Sequence, residues 1–312
     1  MESFKVQVLL STYNGEKYID DQIKSLLSQE DVELHIVIRD DGSTDGTVGK
    51  LKKYIYQYPD RICISENENV GVVGSFFDLL GKASVGYDFY AFCDQDDVWN
   101  NNKLKRGISL INQIQKGQPL MYCSTTQMVN QHLAHLDIWP SPPQKSLSPY
   151  NALIENVCVG CTMIINKEAL NLVKNNRPHN LKNVIMHDWW IYLVVSTFGE
   201  VVFDSEPSIL YRQHQSNALG GSTDGWVDKW KKRFRRFLKG QNHYILSNQA
   251  MEFLAVYTQL MEPQQSNEIQ HLIQIQQQNL FKRVIYIMKT PFYRQSTIDN
   301  IVFKMVFIAG KL

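Results

Sequence analysis

The N-terminal part of the chain alternates short apolar runs with segments of helical periodicity, and no other feature constrains the fold as strongly. Val6–Ser11, Leu34–Arg39, Arg61–Ser65 and Phe89–Cys93 read as buried strands, because short runs with few polar breaks suit a strand covered on both faces. The spacing predicts a helix over Tyr18–Ser28, with Ile19, Ile23, Leu26 and Leu27 on one face. A second helix, capped by Ser43 or Thr44, runs to Tyr58, and a third passes through Phe76, Phe77 and Leu80. A helix over Lys103–Gln115 and a strand over Leu120–Val129 extend the series. Strands alternating with helices of this length define an α/β fold, with a mostly parallel sheet and helices on both faces.

The pattern then loosens. His135–Tyr150 is rich in Pro, Ser and Gln and reads as a loop. Cys158–Asn166 resumes a strand, a helix starts at Lys167, and the polar stretch Asn175–Val184 reads as a mobile connection. Met186–Phe198 is a helix, followed by short strands at Val201–Phe203 and Ile209–Tyr211. From Ser222 onward the periodicity is helical alone, so the division expected is an α/β domain over residues 1–220 and a helical C-terminal domain over 221–312. The net charge of +1 offers no reason to expect nucleic acid as a partner. No run approaches the roughly 20 apolar residues of a membrane span, and Met1-Glu2-Ser3-Phe4-Lys5 leads into a strand without an apolar leader, which points away from secretion. The five cysteines are odd in number and lie mostly in apolar runs, as expected of reduced thiols in a cytoplasm.

Polar clusters close three of the strands: Ser11-Thr12-Tyr13-Asn14, Asp40-Asp41-Gly42-Ser43 and Asp94-Gln95-Asp96-Asp97. Taken singly, Asp-Asp-Gly-Ser is equally a turn with a helix cap. Recurrence at three strand ends favours a ligand crevice, since open α/β sheets bind ligands beyond the carboxyl ends of their strands. Carboxylates at the exit of a buried strand are costly unless a cation or a hydrogen-bond donor meets them. Asp94 and Asp96, two apart, leave the strand on the same side and suit a hard divalent cation that also takes phosphate oxygens. The expectation is a metal-assisted enzyme acting on a phosphorylated substrate.

The segments Val8-Leu9-Leu10-Ser11-Thr12-Tyr13-Asn14-Gly15, Asp40-Asp41-Gly42-Ser43-Thr44-Asp45 and Asp94-Gln95-Asp96-Asp97-Val98-Trp99 resemble family 2 glycosyltransferases over residues 4–217. The last of these, with His187-Asp188-Trp189-Trp190, is similar to the bacterial subgroup that includes rhamnosyltransferases of capsule, O-antigen and cell-wall polysaccharide assembly. The resemblance implies the GT-A fold, a Rossmann-like mixed sheet, and a UDP- or dTDP-sugar donor. It implies that Ser11, Tyr13 and Asn14 hold the nucleotide, with Tyr13 offering a stacking ring. Asp41 would accept a hydrogen bond from the base imide, Asp94 would sit by the ribose, and Gly71 would let the backbone approach the donor. Asp96, with Asp94, would bind Mn2+ or Mg2+, His214 would ligate that metal or donate to phosphate, and Asp97 would be a further ligand or the partner of one. Arg212 would meet the diphosphate through its fork of donors.

Asp188 would be the general base for an inverting displacement, although Asp is also favoured as a helix N-cap. Trp189 and Trp190 would stack on the acceptor sugar or pack in the core, with at least one expected in the core, and Gly160 and Cys161 would floor the acceptor site. Cys158-Val159-Gly160-Cys161 has CxxC spacing but neither a second pair nor neighbouring histidines, so it reads as structural. The acceptor implied is a lipid-linked glycan, which places the enzyme peripherally at the inner face of the cytoplasmic membrane.

Trp226–Lys239 interleaves Lys229, Lys231, Lys232, Arg233, Arg235, Arg236 and Lys239 with aromatic residues, as suits an anionic membrane surface or an amphipathic helix docked on the first domain. The apolar tail Ile301–Leu312 would add to that surface or pack in a homodimer. Two rival classes fit less well. A D-x-D phosphatase wants its nucleophilic Asp after the first strand, where Ser-Thr-Tyr-Asn stands, and a catalytically silent nucleotide- or sugar-binding subunit has no use for Asp94, Asp96 and Asp188 together. The phosphate loops G-x-x-x-x-G-K-S/T and G-x-G-x-x-G are absent from the first strand end.

Overall fold

The computed structural model of the chain describes residues 3–115, 117–214 and 243–312. The expected basic stretch Trp226–Lys239 lies outside the described residues. Two compact units are present. One holds the residues up to Pro142, Val157–Asn175 and the stretch from Met186 through the last strand; the other holds Pro143–Asn156, Asn176–Ile185 and the C-terminal helices.

In the first unit the strands are β1 (Phe4–Thr12), β2 (Val32–Asp40), β3 (Ile62–Glu66), β4 (Phe89–Cys93), β6 (Leu120–Ser124), β9 (Ile164–Asn166) and β10 (Glu200–Asp204), which form one sheet in the order β10-β6-β9-β4-β1-β2-β3. The pairs β1–β2, β1–β4, β2–β3 and β6–β10 are parallel, and β9 is antiparallel to both neighbours. Val6, Val8, Leu9 and Leu10 of β1 are fully buried, as expected of a strand covered on both faces. Helices α1 (Ile19–Leu27), α2 (Thr47–Gln57), α3 (Gly71–Lys82) and α4 (Lys103–Ile111) follow β1, β2, β3 and the Asp94 turn in the order expected. Succession runs outward from β1 to β3 on one side and resumes with β4 on the other. The chain therefore reverses at β1 and β4, and the crevice of the sheet opens there, at their carboxyl ends. A smaller sheet, β5-β11-β7-β8, is built from Val98–Trp99, Ile209–Arg212, Thr126–Val129 and His135–Trp139.

Several local expectations are corrected. Leu120–Val129 is two strands, because Thr125 turns the chain from one sheet to the other. The expected loop begins with a strand, β8, whose five residues are all exposed and which pairs with β7. An edge strand of this kind lacks the buried alternation that marks a strand in sequence. Only Ile164–Asn166 of the stretch from Cys158 is a strand, while Gly160–Thr162 form a 3-10 turn. Helix α2 begins at Thr47 rather than beside Ser43 or Thr44, because the Asp45 carboxylate takes the Thr47 N–H at 3.0 Å and the Ser43 hydroxyl donates to Asp40.

In the second unit the helices are α8 (Ile245–Tyr257), α9 (Pro263–Gln276), α10 (Leu280–Lys289) and α11 (Thr297–Ile308), with α5 (Pro149–Ala152) in the segment before residue 156. Asn175–Val184, read above as mobile, is tied down from residue 176 onward by α8. Buried Glu252 accepts the His179 and Asn180 N–H groups at 2.6 and 3.0 Å and the Asn183 amide at 2.8 Å. Gln249 accepts the Ile185 N–H at 2.9 Å. A division at residue 220 assigns both mid-chain segments to the first domain; in the structure these hydrogen bonds hold residues 176–185 with the C-terminal helices, and Gln295 holds residues 143–156 there by accepting the Lys145 N–H and donating to Asn151.

Candidate active site

The three polar strand ends meet. The Thr12 hydroxyl donates to Asp40 at 2.8 Å, and the Asp41 N–H donates to the Thr12 carbonyl, also at 2.8 Å. Asn14, in the left-handed region at φ 50°, accepts the Thr44 N–H at 2.8 Å. Gln95 clasps β1 to the acidic turn, accepting the Tyr13 N–H and donating to the Tyr13 carbonyl, each at 2.8 Å. Gly15 keeps that clasp possible, because a Cβ there would stand 2.2 Å from the Gln95 Oε1. Ser11 bonds the Ser75 hydroxyl at 2.6 Å, and the Tyr13 ring is 49% exposed at the crevice rim.

Asp41 is buried and accepts from the Arg39 guanidinium, from Val70 N–H at 2.8 Å and from Gly71 N–H at 3.0 Å. Asp41, expected at the base, and Gly71, expected beside the donor, are thus bonded to each other. Gly71 has φ +78°, which only glycine adopts without strain.

The acidic turn divides into two groups. Asp96 Oδ2 lies 2.7 Å from His214 Nε2, and both side chains are partly exposed. Asp94, Asp97 and the Cys161 thiol lie within 4.8 Å of one another. Of the three expected metal ligands, Asp96 and His214 are therefore paired, while Asp94 belongs to the deeper cluster. Burial first, then the charges of Asp96 and Asp188, push the Asp94 carboxyl up to about 7. Burial and the neighbouring carboxylates also raise Asp97, which accepts the Arg212 N–H at 3.0 Å.

Beside this cluster stands Lys103, a residue outside every motif named above. It is fully buried, donates to the Cys161 carbonyl at 2.6 Å and lies 3.1 Å from the centre of the Trp99 ring. Burial pulls its ammonium down to about 7, against the raising effect of Cys161, Cys93, Asp97 and Asp94. The signal was available: Lys103 shares the buried stripe of α4 with Leu104, Gly107, Ile108 and Ile111, where a lysine needs a partner.

Arg212 takes a different place from the one expected. Its guanidinium is buried and donates to the carbonyls of Asp96 and Gln131, each at 2.8 Å, and to Asp21 at 3.0 Å, with the Tyr18 ring 4.5 Å away. It braces β11 against the acidic turn, because the fork that would meet a diphosphate is turned onto backbone carbonyls.

Asp188 is not a helix cap. Helix α7 (His187–Phe198) has Met186 in the cap position, so Asp188 stands inside the first turn. Its carboxylate accepts the Gly160 N–H at 3.1 Å and the Trp189 N–H at 2.6 Å, and its charge reaches Asp94. Trp190 is fully buried core, and Trp189 is half-buried. His187 is buried against the Phe76 ring at 3.8 Å, and burial pulls its pKa down to about 3, so it packs as a neutral ring. Gly160 backs Asp188, while the Cys161 side chain turns to Asp94 and Asp97. The Cys158 thiol faces Cys123 at 2.9 Å rather than its CxxC partner.

A Cβ at Gly160 would come within 3.1 Å of His187 Nε2 and 3.4 Å of Asp188 Oδ2. Gly160→Ala should therefore shift the carboxylate by a few tenths of an ångström. If Asp188 is the general base that the resemblance implies, Gly160→Ala should lower kcat about tenfold in transfer kinetics with the donor KM unchanged, as a misplaced reacting group costs rate before binding. An unchanged kcat would mean that Gly160 does not set the position of Asp188.

Fold and site together define a glycosyltransferase of the GT-A architecture. Residues 7–173, more than half of the chain, match the glycosyl transferase family 2, and the chain belongs to that family. It is 30% identical over 227 residues to the dTDP-rhamnosyl transferase RfbG of Shigella flexneri, covering 68% of this chain and 74% of that one. It is 28% identical over 197 residues to the UDP-Glc:alpha-D-GlcNAc-diphosphoundecaprenol beta-1,3-glucosyltransferase WfgD of Escherichia coli, covering 62% and 71%. Among solved structures, S. aureus TarS 1–349 in complex with UDP-GlcNAc superposes with a TM-score of 0.60 at 18% identity, covering 87% of this chain and 72% of that one. The enzyme is a sugar transferase of polysaccharide biosynthesis. Among the described residues, no helix is long and apolar enough to cross a membrane.

Proposed function

We propose that this enzyme moves one sugar from a UDP- or dTDP-sugar to a lipid-linked acceptor of a bacterial surface polysaccharide, by metal-assisted displacement with inversion. The observation that carries the reading is geometric: the Cys161 thiol lies within 4.8 Å of Asp94 and Asp97, while the adjacent Gly160 N–H donates to Asp188 at 3.1 Å. In this reading a donor-side carboxylate and an acceptor-side carboxylate serve one crevice. The name of RfbG supports a dTDP donor, and that of WfgD supports a UDP donor and an acceptor on a lipid diphosphate.

In this reading Tyr13 stacks on the base and Asp41 reads its imide. Asp188 takes the proton of the acceptor hydroxyl, whose oxygen attacks the anomeric carbon from the face opposite the diphosphate. The carbon–oxygen bond to the diphosphate breaks and the nucleoside diphosphate leaves. Asp96 and His214, a carboxylate and an imidazole already paired, fit the binding of one Mn2+ or Mg2+ ion. Asp96 and His214 would hold that ion, whose positive charge would offset that of the departing diphosphate.

Calorimetric titration of UDP and dTDP, each with Mn2+, Mg2+ or a chelator, tests the reading. One nucleotide should bind tightly, and only with metal. Asp96→Ala should weaken that binding at least about a hundredfold, since even groups that merely orient ligands are worth as much. Binding as tight in chelator would remove the metal from the proposal, and no binding of either nucleotide would overturn the donor.

A further inference from the structure

Helices α10 and α11 are apolar on two sides. Inward, Ile287, Phe303 and Phe307 are buried, and the Tyr286 and Phe307 rings stack at 5.4 Å. Outward, Phe281 and Met288 of α10 are 73% and 77% exposed, with Leu280 and Ile285 exposed beside them. Ile298, Ile301 and Met305 of α11 are likewise exposed. Residues 281, 285 and 288, and 298, 301 and 305, follow helical spacing, so each helix carries a continuous outward stripe. Single exposed apolar residues need no explanation, but stripes on two packed helices mark a surface that meets something apolar.

The charge around the stripes selects the occupant. Residues 280–312 hold six basic side chains (Lys282, Arg283, Lys289, Arg294, Lys304 and Lys311) against one acidic, Asp299. Arg294 is already paired with Glu155 at 3.3 Å. Lys282 and Lys289 are exposed and lie seven apart, on one flank of the α10 stripe. A second copy would set this positive surface against itself. A bilayer with anionic headgroups accepts both the apolar stripe and the lysines.

We propose that the outward faces of α10 and α11 are a docking surface for an anionic lipid bilayer. The apolar side chains enter the boundary between headgroups and acyl chains, and Lys282 and Lys289 meet lipid phosphates. The surface deepens the reading of a lipid-linked acceptor, but it stands on different residues, so either can fail alone.

Flotation of the full chain with vesicles tests this without any transfer reaction. Vesicles of equal phosphatidylglycerol and phosphatidylcholine should bind the protein at least tenfold more tightly than phosphatidylcholine alone, and high salt should release it. Phe281→Gln with Met288→Gln should weaken binding about tenfold or more, from the apolar area no longer buried. Lys282→Gln and Lys289→Gln should each cost about fivefold. All four sites are exposed, and unaltered circular dichroism would show the fold intact. Equal binding to both vesicle types, or a Phe281/Met288 double variant that floats like the parent, would overturn the proposal. So would a dimer, seen by sedimentation, that the same double variant dissociates.

Discussion

Asp188→Asn is expected to lower the transfer rate about a thousandfold, within the range a positioned general base supplies, while nucleoside diphosphate binding stays unchanged. The asparagine keeps an oxygen to accept the Gly160 and Trp189 N–H groups, so the start of α7 and the turn at Gly160 keep their shape. What is lost is the ability to take a proton. Single-turnover transfer, with calorimetric binding of UDP or dTDP measured in parallel, separates the two effects. Near-normal transfer by Asp188→Asn would remove it from the base role and leave it a structural acceptor for Gly160.

Lys103→Met is expected to cost about a hundredfold in kcat, the loss that a small displacement of a reacting group can produce. The methionine occupies a similar volume against the Trp99 ring but drops the hydrogen bond to the Cys161 carbonyl, which links the start of α4 to the turn carrying Gly160. A pH profile distinguishes lost charge from lost packing. Lys103 holds the Asp94 carboxyl down against burial and the charges of Asp96 and Asp188, which raise it. Without the ammonium Asp94 rises further, so its ionised form is reached only at higher pH, and the acid limb of the rate profile should move upward. An unmoved acid limb with a normal kcat would mean that Lys103 only fills space.

The places of Asp96 and Asp188 in the fold, though not their roles, are legible from local sequence pattern. Both stand where a local pattern announces them, one after a buried strand and one at the start of an apolar helix. Lys103 and Gln95 are different, because their roles lie in contacts with residues far away in the chain, the Cys161 carbonyl and the Tyr13 backbone. Arg212 shows the same limit from the other side. Its identity suits a diphosphate, yet its guanidinium is turned onto the carbonyls of Asp96 and Gln131, and no local pattern says which way a fork at a strand end will point.

Periodicity, and the cost of ending a buried run with charge, set the α/β architecture, the strands β1 to β4 and the three polar strand ends. Tertiary structure alone decided that Thr125 splits one apolar run between two sheets, and that Asp94 joins Asp97 and Cys161 while Asp96 joins His214. It also decided that Glu252 gathers residues 179–183 to the C-terminal helices. The physical reason is common to all three. A buried polar group takes whichever partner the packing of remote segments brings within hydrogen-bond reach, and that choice leaves no period in the chain.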